Sequence, residues 1–217
     1  MFCEEILTND IPVLKKSVKA SQALTIMSDL RLKHLPVVQD DKYLYLLSEK
    51  DLLDMSNLEM EIGSLSYYAP SVGAKTLVLE ALHIMNNDKL SFLPVVTESG
   101  ELLGGITLPL LIESLDEICH AGSHGAVIGI EINNPDYLLS QLVHLVESNN
   151  ARVLNLFYYP IKDTDRQMLL LRIDMEDASP VLRSLERFDY KVMFCVQQQG
   201  LSDEMMRKRL DELMYYI

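Results

Sequence analysis

Leu35-Pro36-Val37-Val38 and Leu93-Pro94-Val95-Val96 are the same four residues written twice, 58 positions apart. Working outward, Ala23-Leu24 falls on Ala81-Leu82, Met27 on Met85, and Ser48, after a turn one residue shorter, on Thr107. Each copy reads as a helix with apolar residues at three-to-four spacing (Ala23, Leu24, Met27, Leu30; then Leu79, Ala81, Leu82, Met85), leading into a short LPVV strand. A polar turn (Gln39 to Lys42; Thr97 to Gly100) and a second apolar strand (Tyr43 to Leu47; Leu102 to Ile106) follow. The expected product is a pair of small βαββα units, about residues 10–55 and 70–115, within a first domain spanning 1–121. Neither copy is large enough to close a core alone, so the two are expected to pack together through their sheets.

Helix, an apolar pair, PVV, turn, then G-h-h-S/T-x-x-D opening a helix is the pattern that the CBS domain carries, and the sequence resembles a tandem CBS pair from about residue 10 to 112. The first copy reads Leu46-Leu47-Ser48-Glu49-Lys50-Asp51-Leu52 and the second Gly104-Gly105-Ile106-Thr107-Leu108-Pro109-Leu110. The resemblance implies a non-catalytic regulatory protein that binds an adenine nucleotide (AMP, ADP or ATP), forms a homodimer, and acts on a client protein that the sequence does not name.

Physically, a hydroxyl at a strand end and a carboxylate three residues on suit such a ligand. The hydroxyl and the free amides of the first helical turn meet phosphate, and the carboxylate accepts from a ribose diol. Ser48 and Asp51 provide the pair; Lys50, His34, Leu35 and Pro36 stand beside it, with Arg31 and Lys33 as further cations. The same residues also make a sound helix N-cap with acids in the first turn. Both readings stand at this point. Tyr45 replaces the family's glycine and is expected either to narrow the cleft or to stack on a base. The second copy offers Thr107, Gly104 and Pro94 as a weaker site, with Leu110 where the carboxylate belongs. Leaving ribose hydroxyls unpaired there costs about 1–3 kcal/mol. Charge follows the asymmetry: residues 10–53 carry seven basic and six acidic side chains, residues 71–112 two and four.

After Ala121-Gly122-Ser123-His124-Gly125, which reads as a linker, residues 124–198 show a β-α-β-β-α-β order. The fold class is therefore α+β (α/β mixed): two CBS βαββα repeats, a ferredoxin-like βαββαβ domain, and a C-terminal helix over 201–217. The second domain resembles an ACT domain, and the pairing resembles regulatory proteins of the acetoin-utilisation type. The turn Asn133-Asn134-Pro135-Asp136 puts an aspartate where amino-acid-binding ACT sites have glycine, so assembly is expected before amino-acid sensing. Residues Ser202 to Ile217 place Met206, Leu210, Leu213, Met214 and Ile217 on one helical stripe. Docking of that stripe on its own domain is favoured over binding a partner.

Formal charge is −13, so the summed field repels nucleic acid and anionic membrane surfaces. No apolar run approaches the roughly 18–20 residues that span a bilayer, and three well-separated cysteines fit a cytoplasmic protein with free thiols. Nine glycines include no phosphate-cradling loop of the GxGxxG or GxxxxGK[ST] kind. Cys119 and His120 are adjacent, point apart on a helix, and are followed by no second ligand cluster beyond His124, so no metal centre is expected.

Overall fold

The computed structural model describes residues 1–65, 68–133 and 138–198. The chain forms two compact units, Met1–Leu115 and Asp116–Ile217. In the first, helix α1 (Ala20–Leu30), strands β1 (His34–Gln39) and β2 (Lys42–Ser48) and helix α2 (Glu49–Leu53) make one copy of the repeat. Strand β3 (Val72–Gly73), helix α3 (Val78–Asn87), strands β4 (Phe92–Val96) and β5 (Leu102–Thr107) and helix α4 (Leu108–Ile118) make the other. The copies agree in register: Leu14 bridges Val37 in parallel as Val72 pairs Val95, and both hairpins carry a bulge at the same place, Val37/Val38 and Val95/Val96.

The two copies are interlocked. Short 3-10 turns at Cys3–Glu5 and Ile62–Ser64 precede the copies at equivalent positions. Cys3 N and Glu4 N donate to Thr76 and Ala74 of the second copy, while Ile62 N and Gly63 N donate to Val18 and Lys16 of the first. Thr8 then exchanges both backbone hydrogen bonds with Gly105 on β5, and Leu46 on β2 donates to the carbonyl of Tyr68. The segment that leads into each copy thus completes the sheet of the other. The cores follow suit. Cys3 is buried among Val72, Val78, Phe92 and Ile106, whereas Ile62 is buried among Leu14, Met27, Leu35 and Leu47. Strand β2 is covered on both sides, with Tyr45 and Leu47 facing the first core and Leu46 the second. Packing of the repeats through their sheets is what the incomplete cores demand.

Several expected positions are corrected. On α1 the buried face is Ala20, Ala23 and Met27, and on α3 it is Val78, Ala81 and Met85; Leu30 and Leu79 lie outward, exposed by 39% and 57%. On α3 Ala81, Leu82 and Met85 keep their expected places and Leu79 alone turns outward, because Val78 opens that helix and takes the inward position.

In the second unit, β6 (Gly125–Asn133), α5 (Leu139–Glu147), β7 (Val153–Pro160), β8 (Arg166–Ile173), α6 (Ser179–Arg187) and β9 (Lys191–Gln198) build an antiparallel four-stranded sheet in the order β7-β8-β6-β9. That order with two intervening helices is the ferredoxin-like arrangement. One face of the sheet, carrying Ala126, Ile128, Ile130, Leu169, Leu171 and Ile173, packs on Leu142, Leu145 and Val146 of α5 and Val181 and Leu185 of α6. Leu138 and Phe188, which flank those helices as N-cap and C-cap, are exposed by 61% and 46%. Gly125 enters β6 at φ +127, and a Cβ there would lie 2.0 Å from the Ile173 carbonyl oxygen, so the strand starts where only glycine fits. Most of the turn expected to distinguish the ACT ligand loop, and the whole helix expected over 201–217, lie outside the described residues.

Candidate functional site

Ser48 closes β2 and caps α2. Its Oγ accepts from Asp51 N (3.1 Å), while Asp51 Oδ2 accepts from Ser48 Oγ (2.6 Å) and Ser48 N (3.2 Å). This is a reciprocal capping box with aspartate in the third position, so the structural reading of S-x-x-D is realised. It engages one carboxylate oxygen of Asp51 and leaves Oδ1 as a further acceptor.

Around the cap lies an open cleft of about 320 Å³ lined by Lys33, His34, Ser48, Glu49, Lys50, Leu53 and Asp54. Strand pairing explains the gathering: His34 at the start of β1 sits opposite Ser48 at the end of β2. Glu49 N donates to the Lys33 carbonyl at 2.8 Å, which ties the helix start back to β1. His34 also spans the two copies. Its Nδ1 accepts from Ser91 N (3.2 Å) and lies 3.1 Å from Ser91 Oγ, which in turn accepts from Lys33 N at 2.9 Å. An Nδ1 that accepts a backbone N–H is unprotonated, so the neutral ring carries its proton on Nε2. Burial pushes the His34 pKa down, and Lys33 adds to that, against the opposing pull of Asp51 and Glu49.

Of the expected site residues, the cleft unites His34, Ser48, Lys50 and Lys33, with Asp51 bonded to Ser48. It does not include Arg31, which ends α1 in a left-handed conformation. Leu35 is fully buried in the first core, so its side chain offers a ligand nothing. Pro36 is buried too, and its carbonyl accepts from Leu14 N. Tyr45 neither narrows the cleft nor faces a base. It is 2% exposed in the first core and its hydroxyl donates to the Ile62 carbonyl. The bulge at Val37/Val38 leaves Tyr45 opposite Val37 and turned inward with it.

The second copy is built differently. Thr107 is buried and its hydroxyl accepts from Leu110 N at 3.5 Å, a looser cap without a carboxylate. Gly104 has φ +150, and a Cβ there would lie 2.4 Å from Asn9 Oδ1 and 2.8 Å from the Thr8 carbonyl oxygen. Its role is to let the N-terminal segment lie against β5. Gly104 lines a small cleft of about 120 Å³ with Pro36 and Phe92, apart from Thr107 and Pro94, so these three expected residues do not converge. Pro94 is buried within β4 opposite Gly105. Sequence reasoning missed Ser91, whose only signal was its place beside the LPVV strand, at the spacing that matches Lys33.

Among the described residues, no group of three His, Cys, Asp or Glu side chains is placed to hold a metal ion, and no helix is long and apolar enough to cross a membrane.

Two interlocked βαββα copies with a strand-end hydroxyl leading into a helix define a tandem regulatory module. The CBS-domain family matches residues 3–57 and 63–117, and the chain belongs to that family. An uncharacterized protein of Methanocaldococcus jannaschii is 36% identical over 108 residues, covering 48% of this chain and 25% of that one. An inosine-5'-monophosphate dehydrogenase of Korarchaeum cryptofilum is 28% identical over 105 residues, 48% of this chain and 22% of the relative. The chain thus spans about a quarter of the length of the curated relatives it matches. Among solved structures, a CBS domain pair/ACT domain protein of Thermotoga maritima is 24% identical with a TM-score of 0.49, over 54% of this chain and 98% of that one.

Proposed function

We propose that this chain is a non-catalytic regulator that binds one adenine nucleotide in its first CBS copy and passes the signal on through a homodimer and its ferredoxin-like domain. The observation that carries the reading is the convergence of Lys33, His34, Ser48 and Lys50 on one cleft beside Asp51. Two ammonium groups there meet phosphate oxygens, and the second oxygen of Asp51 accepts from a ribose hydroxyl. Leu110 gives the second copy no such acceptor, so one nucleotide per chain is expected.

Calorimetric titration of the full chain with AMP, ADP and ATP tests this directly. The parent protein binds at least one of them, and Asp51→Ala weakens it by roughly 1.5–3 kcal/mol, about 10- to 150-fold. Absence of binding by the parent protein at millimolar concentrations of all three overturns the proposal. A second reading, a module that only dimerises and holds a partner, is favoured by Leu53 and Ile112, apolar and exposed at equivalent positions of the two copies. Thermal shift separates the two: a nucleotide at 100 times its Kd adds about 2.7 kcal/mol of stability, whereas the interaction module is silent to all three.

A further inference from the structure

A second groove opens at the other end of β1 from the Ser48 cleft and shares no lining residue with it. It measures about 470 Å³ and has two walls. Val13, Lys15 and Lys16 line it from the segment before α1, and Val38, Asp40 and Asp41 from the end of β1 and its turn. Backbone hydrogen bonds fix both walls. Leu14 N donates to the Pro36 carbonyl and Val38 N to the Leu14 carbonyl, both at 2.9 Å, so the segment lies along β1. Beyond that bridge the chain turns away, with Val18 N donating to the Lys15 carbonyl and Gly63 N to that of Lys16. On the other wall Asp40 and Asp41 have φ 51 and 62, the left-handed pair of a two-residue hairpin closed by Gln39 and Lys42. Leu102 N of the second copy donates to the Asp41 carbonyl and holds that turn in place.

The walls carry opposite charges that do not meet. Among the described residues, Lys15, Lys16, Asp40 and Asp41 form no ion pair and no side-chain hydrogen bond. The second copy is arranged otherwise. Matching Leu14 with Val72 puts Gly73 and Ala74 at the places of the two lysines, and the next residue, Lys75, pairs with Glu4 at 2.5 Å. Gly63 is the counterpart of Glu4, and a Cβ there would sit 3.2 Å from Lys16 Cβ, so no acid meets the first copy's lysines from that side. The turn is unusual as well. Two-residue hairpins favour Asn-Gly, yet aspartates take both left-handed places.

We propose that this groove binds a small zwitterion with an apolar body, the chemistry of a free α-amino acid or a dipeptide. Its carboxylate lies at Lys15 and Lys16 and its ammonium at Asp40 and Asp41. A simple anion would meet the aspartates and the chain's net charge of −13, and a simple cation would meet the lysines. A zwitterion satisfies both walls at once with charge-assisted hydrogen bonds, while Val13, exposed by 45%, and Val38 cover its apolar part. The inference is independent of any nucleotide.

Calorimetric titration of the full chain with leucine, leucyl-leucine, N-acetyl-leucine, leucinamide and inorganic phosphate tests it. Leucine or leucyl-leucine is expected to bind at millimolar concentration, and which of them does so separates amino acid from dipeptide. N-acetyl-leucine and leucinamide each lack one charge and are expected to bind about tenfold more weakly or worse. Asp40→Asn/Asp41→Gly installs the residues that the turn prefers. It is expected to keep or raise the thermal transition while lowering zwitterion affinity by about tenfold or more. Lys15→Ala/Lys16→Ala is expected to lower the affinity equally from the other wall. Absence of binding by both zwitterions overturns the proposal. So does equal binding of N-acetyl-leucine, leucinamide or phosphate, which would make the groove a site for a single charge. Zwitterion affinity unchanged in either double variant overturns it too, because the ligand would then sit elsewhere.

Discussion

His34 shows how much a single side chain can carry in an interlocked pair. Its ring lies at the edge of the candidate cleft and at the same time accepts the Ser91 N–H from the other copy. Burial lowers its pKa from the ordinary 6.5. The folded chain therefore resists a proton that the unfolded chain accepts, and stability is full above about pH 6.5 and declines as pH falls below it toward the folded value. Protonation would also turn Nδ1 from acceptor to donor and set it against the Ser91 N–H. Denaturant midpoints measured between pH 7.5 and 5.5 are expected to fall with pH, and His34→Gln is expected to flatten part of that slope. An identical slope in the variant would show that other groups carry the dependence. Gly104 and Tyr45 occupy equivalent places in the two copies and do opposite things. The tyrosine fills its own core, and the glycine admits the N-terminal segment. Residue identity at one position thus makes two copies of one unit serve different ends.

At the scale of elements, α2 is five residues long and owes its start to the Ser48–Asp51 box. A helix that short has little intrinsic stability, so capping and the packing of Leu52 hold it. Ser48→Ala is expected to cost about 0.5–2 kcal/mol in chemical denaturation. Comparing that loss with the variant's nucleotide affinity separates the cap from the ligand contact: a pure cap changes stability and leaves affinity untouched. The repeated helix–strand–strand–helix units were legible in the sequence because LPVV recurs with the same helical spacing before it. The exchange of leading segments was not. Cys3–Glu5 and Ile62–Ser64 are single 3-10 turns without periodicity, and their pairing with Thr76, Ala74, Val18 and Lys16 is made by backbone groups that carry no sequence signal. Tyr45 was misread for a related reason, since the bulge at Val37/Val38 shifts the register, and β2 is buried on both sides so simple alternation fails. The cleft was partly legible: Ser48, Asp51 and Lys50 follow from local spacing and Lys33 and His34 from their place beside the LPVV strand, while Ser91, which meets His34 from the other copy, emerges only from the packing of the two copies.

The whole molecule must keep two opposing tendencies in balance. Its charge of −13 makes copies repel one another, yet the first unit exposes Leu53 on α2 by 63% and its repeat-equivalent Ile112 on α4 by 65%, with Leu108 beside it at 43%. Left outside at matching positions, Leu53 and Ile112 are expected to be covered by a second copy related by a two-fold axis, as a self-complementary interface would require. Burying them relieves water contact worth about 1.5–3 kcal/mol for each fully covered side chain, set against the screened repulsion of two acidic chains. Raising salt shortens the range of that repulsion and is therefore expected to tighten the dimer, where an interface built on ion pairs would loosen. Sedimentation at micromolar concentration is expected to give a dimer for the parent chain and a monomer for the Leu53→Asp/Ile112→Asp double variant, with the thermal transition retained because both residues lie outside the core. A monomeric parent, or a double variant that remains dimeric, would remove this surface from the account of how the chain assembles.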